Sequence, residues 1–397
     1  MAITFAERAA KFGFGDPSTW PSGEIDALIT VESIDHLKDI LDSGADSDER
    51  AAHVAALFSG IAPDPADGGL LQGVHHYVFG NDALSEEHRE AVEPAFPMQI
   101  RAIMAVDKTI DSQWDLGQSA PPVSVTLGTL TMNQGGYVTI ENTVLLAFTV
   151  DNLIRNGNAG GPPGDFIIAG VTGRTGGVGS TPVPPGQAQS GNPGTCSSAG
   201  IAGPGGGNGT PGATGTVGGT GEPGRDGLPS LPATITINTS VGGTAAQVIV
   251  ASMSGAGGVG GTGGNGSAGG QGGNGGNGVS CGCTGNAGGT GAQGGTGGAG
   301  GVGGPGGNGV DAAGNVMVNV PAAFFNKIVG LQLQAPPGAG GAPGTPGVGG
   351  AGGGGSSGGK HNSGGSGGGT GAGGGPGTRG PSGTLSGKPG FVQVQPT

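Results

Sequence analysis

Hydrophobic and polar positions follow two different rhythms along this chain, and the change falls near residue 115. Before it, apolar residues recur at helical spacing. Residues 3–14 form a short amphipathic segment, and residues 31–41 and 46–57 predict two helices parted by Asp42-Ser-Gly-Ala. Residues 83–91 predict another helix, after a Gly80-Asn81 turn and with Asp82 at its N-cap. Pro94 and Pro97 interrupt the pattern, and residues 99–106 fit either a helical turn or a strand. This reads as a small α-helical domain over residues 1–115.

After residue 115 the apolar residues become β-branched and alternate. Residues 123–127, 137–140, 143–150 and 166–171 predict a β-rich section over 116–171. Short segments of the same kind recur at 234–237, 247–250, 315–320, 328–333 and 391–394. The simplest pairing makes hairpins of neighbours, 234–237 with 247–250 and 315–320 with 328–333. Between these segments lie residues 172–232, 253–314 and 335–390, where glycine takes every third position over long runs, such as 200–227, 257–278 and 288–309. Each loses its phase near the middle, at 181–199, 279–287 and 354–364.

A period of three is that of the extended polyproline-II helix, which makes no internal hydrogen bonds. Composition without that period would suggest disorder, given 100 Gly and 29 Pro in 397 residues. A glycine register lets neighbouring backbones approach and bond laterally. The expectation is therefore a multidomain protein. A small N-terminal helical domain and a short β section precede residues 172–397, a bundle of about six polyglycine-II helices set as three hairpins between short β pairs.

Charge separates the same regions. Residues 1–115 hold 21 of the 27 acidic and 7 of the 14 basic residues, a net −14, against +1 for the rest. With no basic stripe, nucleic acid is not an expected partner. No apolar span is long enough for a transmembrane helix, and the first residues, MAITFAER, do not read as a secretory signal.

Candidate chemistry is sparse. His75-His76-Tyr77, with His36, His53 and His88, matches no ligand spacing. The expectation is no catalytic site, no metal and no cofactor. All three cysteines fall where the glycine phase breaks: Cys196 in the first tip, Cys281 and Cys283 in the second. If the tips meet, Cys196 can pair with Cys281 or with Cys283; three reduced thiols are the other arrangement. The third tip offers Lys360, His361 and Asn362 as binding candidates.

The Gly-Gly-X and Gly-X-Y runs resemble three groups. In the tip adhesins of phage long tail fibres, a polyglycine-II sandwich follows an attachment domain and displays receptor-binding loops. The springtail glycine-rich antifreeze protein is similar in its antiparallel glycine helices, and mycobacterial glycine-rich surface proteins are similar in repeat usage. The functional expectation is a non-enzymatic structural protein of the cell surface or exterior. It would assemble with itself into a filament or layer through its β section, near 123–150, and its glycine faces. The alternatives are an adhesin that binds a cell-surface receptor through the tips and an ice-binding protein.

Overall fold

A computed structural model describes residues 4–20, 23–41, 73–74, 77–78, 83–118, 121–158, 162–197 and 200–396. The helix expected at 46–57, the turn at 80–81 and Asp82, His53, His75 and His76 lie outside these.

The elements run in chain order as α1 (Phe5–Lys11), β1 (Glu24–Val31), α2 (Ile34–Leu41) and α3 (Glu86–Val92). Strands β2 (Met98–Ile110), β3 (Gln113–Gln118), β4 (Val123–Met132), β5 (Tyr137–Glu141), β6 (Leu145–Arg155) and β7 (Phe166–Ala169) follow. Then come β8 (Ala233–Gly242), β9 (Val248–Met253), β10 (Ser280–Cys281) and β11 (Thr284–Gly285). The last are β12 (Val316–Val320), β13 (Ile328–Leu333) and β14 (Val392–Pro396).

Two sheets organise these strands. The first has seven strands in the order β1-β2-β4-β6-β8-β12-β14, and the second has five, β13-β9-β7-β5-β3. Apart from β1, which is antiparallel to β2, all their pairings are parallel. The chain thus winds in coils. Each coil gives one strand to the first sheet and the next to the second, then returns. The sheets face each other across a core that includes Leu127, Phe148, Phe166, Ile235, Val250 and Val318. Phe148 meets Trp114 and Phe166 edge to face, with ring centroids 6.1 Å and 5.2 Å away.

The expected hairpins do not form. β8 pairs with β6 and β12, and β9 with β7 and β13. Consecutive strands lie in opposite sheets, so each bonds to its counterpart one coil away. The stretch 123–150, expected to offer unpaired strands, is interior: β4 lies between β2 and β6, and β6 between β4 and β8.

The first 115 residues are not a separate helical domain either. β1 and β2 belong to the seven-stranded sheet. Residues 99–106, which fitted helix or strand, lie in β2. Both faces of β2 are covered: Ile103 and Ala105 face the inter-sheet core, while Ile100, Ala102 and Met104 pack with Phe12, Leu37 and Ile40 of the helical cover. Burial on both faces makes its apolar residues consecutive and erases the alternation that marks a half-buried strand. α1 starts at a capping box in which the Thr4 hydroxyl accepts from the Glu7 amide and the Thr4 amide donates to the Glu7 carboxylate. Arg8 of α1 pairs with Asp151 of β6, fixing the cover to the sheet.

The C-terminal half is likewise not the expected set of six helices between β pairs. Its framework is β-sheet, and the glycine segments are long returns between coils. The returns after β3 and β5 take only 119–122 and 142–144, whereas those after β7, β9 and β13 span 170–232, 254–315 and 334–391. These three arms run out and back as extended chain with no helix or strand along most of their length. Their order comes from bonds between segments. Gly173, Gly176 and Gly179 donate to the carbonyls of Ala256, Val259 and Thr262, and Gly257, Gly260 and Gly263 to those of Pro336, Ala339 and Ala342. Out and back segments bond antiparallel, as in Gly289 to Gly276 and Gly295 to Gly270. The offset from the first outgoing segment to the second is the same at Gly173–Ala256 as at Gly194–Asn277. The sheets set this register at the arm roots and the arms carry it outward unbroken.

The glycine period reflects close approach. A Cβ on Gly261 would lie 1.9 Å from the Gly177 carbonyl oxygen, and one on Gly304 would lie 2.1 Å from that of Glu222. The non-glycine register has its own role. Asn265 and Asn274 accept from the amides of Thr345 and Gly354 one arm further on. Their side chains satisfy backbone donors that lateral bonding leaves over.

Candidate functional site

The arm tips fall within the breaks in glycine phase, and all three meet at one end; the first break, 181–199, is wider than its tip, because Ala188, Gly191 and Gly194 still bond to the second arm in the arm's own register. Within the second tip, β10 and β11 form a two-stranded antiparallel turn through Gly282, whose φ is +69°. Positive φ carries little strain only without a Cβ. Cys281 in this turn is bonded to Cys196 of the first tip, with Cα atoms 5.6 Å apart. Cys283 is a free, exposed thiol. The structure thus selects Cys281 of the two possible partners.

Asn286 joins the same two tips without a covalent bond. It is buried, and its Nδ2 donates to the carbonyls of Thr195 at 2.9 Å and Pro204 at 2.8 Å. Its Oδ1 accepts from the Val279 amide at 2.7 Å. A side-chain amide carries two donors and an acceptor, and here both kinds are used. Sequence reasoning passed over Asn286. The available signal was an asparagine inside the phase break at 279–287, flanked by Gly285 and Ala287.

The third tip sits on the second. The Lys360 amide donates to the Ser280 hydroxyl at 2.9 Å, and its ammonium reaches the Gly282 carbonyl at 3.4 Å. Asn362 Nδ2 donates to the Gly285 carbonyl at 2.7 Å. Asn362 therefore braces the tips, although it remains exposed. His361 is exposed at φ +63°. Ile201 (62 % exposed), Cys283, Lys360 and His361 are among the exposed residues of the tips.

A second polar cluster lies in the N-terminal cover. Tyr77 hydrogen-bonds Asp35, and Arg89 pairs with Asp35 at 3.1 Å. Lys38 Nζ stands 4.2 Å from the Tyr77 ring centroid. Hydrogen bonds from Arg89 and Tyr77 hold the Asp35 carboxyl below its ordinary range, and the bond to Asp35 pushes the Tyr77 phenol up. These contacts tie α2 to α3 and to the segment at 77–78. His36 Nδ1 accepts from the Glu32 amide, and the His88 amide donates to Ser85, the cap of α3. Among the described residues no group of three or more His, Cys, Asp or Glu could hold a metal ion, and no helix is long and apolar enough to cross a membrane.

One buried ion pair escaped sequence reasoning. Arg155 ends β6 with its side chain 1 % exposed and donates through Nε to Asp165 at 2.8 Å. Asp165 also accepts from the Ile249 amide. The pair locks the corner where the coil passes between sheets, a structural task.

Comparisons with known proteins give no relative. No protein family matches the chain, and no curated protein does. Among solved structures, a springtail antifreeze protein from Granisotoma rainieri, described as a nine polyproline type II helical bundle, is 21 % identical. The alignment covers 57 % of this chain and 96 % of that one, with a TM-score of 0.07. That superposition carries no argument about fold or function. The resemblance to phage adhesins, springtail antifreeze and mycobacterial glycine-rich proteins is therefore set aside: it rested on the glycine period, and the molecule is organised by stacked sheets.

Proposed function

We propose that the chain is a non-enzymatic structural protein that associates with copies of itself into an extracellular or surface-exposed filament or layer. The observation carrying this reading is the build of the arms. They extend far from the sheets, by roughly 70 Å at the 3.1 Å rise of an extended three-fold chain. Their interior is backbone bonded to backbone at every third residue, with no room for a side chain. Such a body is a stiff projection with little side-chain chemistry of its own. The Cys196–Cys281 bond supports an oxidising setting outside the cytosol. Electron microscopy of the purified protein tests the reading. Regular filaments or sheets are expected, and monodisperse single particles at high concentration would refute it.

The gathering of the tips favours a second reading, display of a receptor-binding surface. There Lys360 and His361 are the contact candidates, while Asn362 braces the tip. Replacing Lys360 and His361 with glycine should abolish attachment to a target cell; unchanged attachment rejects this surface.

A further inference from the structure

Five of the six Asn-Gly steps in the chain lie in the arms, at Asn208, Asn265, Asn274, Asn277 and Asn308. Each makes the same pair of bonds to one residue of the next arm. Asn265 Oδ1 accepts from the Thr345 amide at 3.0 Å, and the Gly266 amide donates to the Thr345 carbonyl at 2.9 Å. Asn274 and Gly275 hold Gly354 in this way, and Asn277 and Gly278 hold Ser357. Asn208 and Gly209 hold Thr290, and Asn308 and Gly309 hold Leu385. Asp226 and Gly227 do the same to Asn308, so a carboxylate serves here as well as an amide.

Asn-Gly is a chemically labile step, because glycine leaves the following amide nitrogen unshielded. In deamidation that nitrogen gives its proton to solvent base and bonds to the asparagine Cγ. The Cγ–Nδ2 bond breaks and ammonia leaves. Water then opens the five-membered imide at either carbonyl, giving aspartate or isoaspartate. The paired bonds obstruct both reactants. The glycine nitrogen is engaged with a carbonyl, and the bond at Oδ1 turns the side chain toward the next arm. Burial is not the protection, since Asn208, Asn265, Asn274 and Asn277 are exposed to water.

We infer that these five asparagines are latent modification sites, closed while the arms are bonded and reactive toward water once an arm opens. The product decides whether the arm closes again. Aspartate keeps an acceptor in place, as Asp226 does. Isoaspartate routes the backbone through the side-chain carbon and lengthens it by one atom. Every glycine beyond it then falls out of phase with the carbonyl it must face, and the lateral bonds cannot re-form. The inference does not depend on the reading of self-association.

Fragmentation mass spectrometry with an isoaspartate assay tests it, on the full chain held in mildly alkaline buffer. The chain is compared folded, unfolded in urea, and as Gly261→Val, which opens the second arm locally. The five sites are expected to lose ammonia about a hundredfold more slowly in the folded chain than in urea. In Gly261→Val, Asn265 should react faster than in the folded chain, with Asn277 unchanged. Equal rates in the folded and urea-unfolded chains overturn the inference. So does a variant whose Gly266 amide exchanges freely while Asn265 reacts no faster. If the variant does not fold, the comparison of folded chain with urea still decides.

Discussion

The space between the sheets and the space between the arms are filled in opposite ways. Between the sheets, Phe148, Phe166, Leu127 and their neighbours occupy the gap with side chains, and apolar burial supplies the stability. Between the arms, carbonyl oxygens lie about where a Cβ would be, as at Gly261 and Gly304. There stability comes from lateral hydrogen bonds of about 1 kcal/mol each, set against roughly 1–2 kcal/mol of backbone entropy per residue. Arms of this kind gain order from anchored roots, pinned tips and many parallel neighbours. The comparison teaches that side-chain volume is the wrong currency for half of this molecule.

That contrast can be broken in graded steps. The largest effect belongs to the sheets: Phe148→Ala should cost about 3–5 kcal/mol and lower the Tm of the whole molecule in calorimetry. Next, Gly261→Val should open the arms locally, because its Cβ has no place beside the Gly177 carbonyl. Hydrogen exchange should then lose protection at Gly176, Gly258 and Gly304 while β4 and β6 stay protected. Gly375→Val, where nothing lies within 4 Å, should leave the pattern unchanged. Asn286→Ala should cost about 1–3 kcal/mol by leaving buried donors and acceptors of the first two tips unmet. Its signature is faster exchange at Val279 with little change in the sheets.

The smallest effect is one of pH. The Arg101 guanidinium hydrogen-bonded to Asp26 holds that carboxyl below its ordinary value of 3.8. Its contribution is therefore complete above that value and is lost as pH falls through the lowered folded-state pKa. Exchange in β1 should speed up in strong acid, and Asp26→Asn should remove that dependence.

Much of the local structure was legible. Strands occupy the β-branched segments at 123–127, 137–140, 234–237 and 328–333 because their composition suits a pleated, buried surface. The tip positions were legible as breaks in glycine phase, and they held the cysteines. Partnership was not. Nothing local to residues 234–237 says that they bond to β6 and β12 rather than to the next strand. Arg155 and Asp165, ten residues apart, gave no sign of a buried pair, because its meaning depends on a corner that only stacked coils create.

The sequence by itself determined where backbones must come close, since a period-three glycine register leaves space on a fixed side of an extended chain. It also determined where β structure forms after residue 120 and the stretches within which the tips fall, but not β1, β2 and β3, which lie in a region that reads as helical. Only the tertiary structure decided that consecutive strands part into opposing sheets, that the glycine segments are returns of one coil stack, and that Cys281 rather than Cys283 meets Cys196. The reason is physical. Periodicity records which face of a segment is crowded, whereas register and pairing are fixed by bonds to residues tens of positions away, 83 between the first and second outgoing segments as at Gly173–Ala256, which no local pattern encodes.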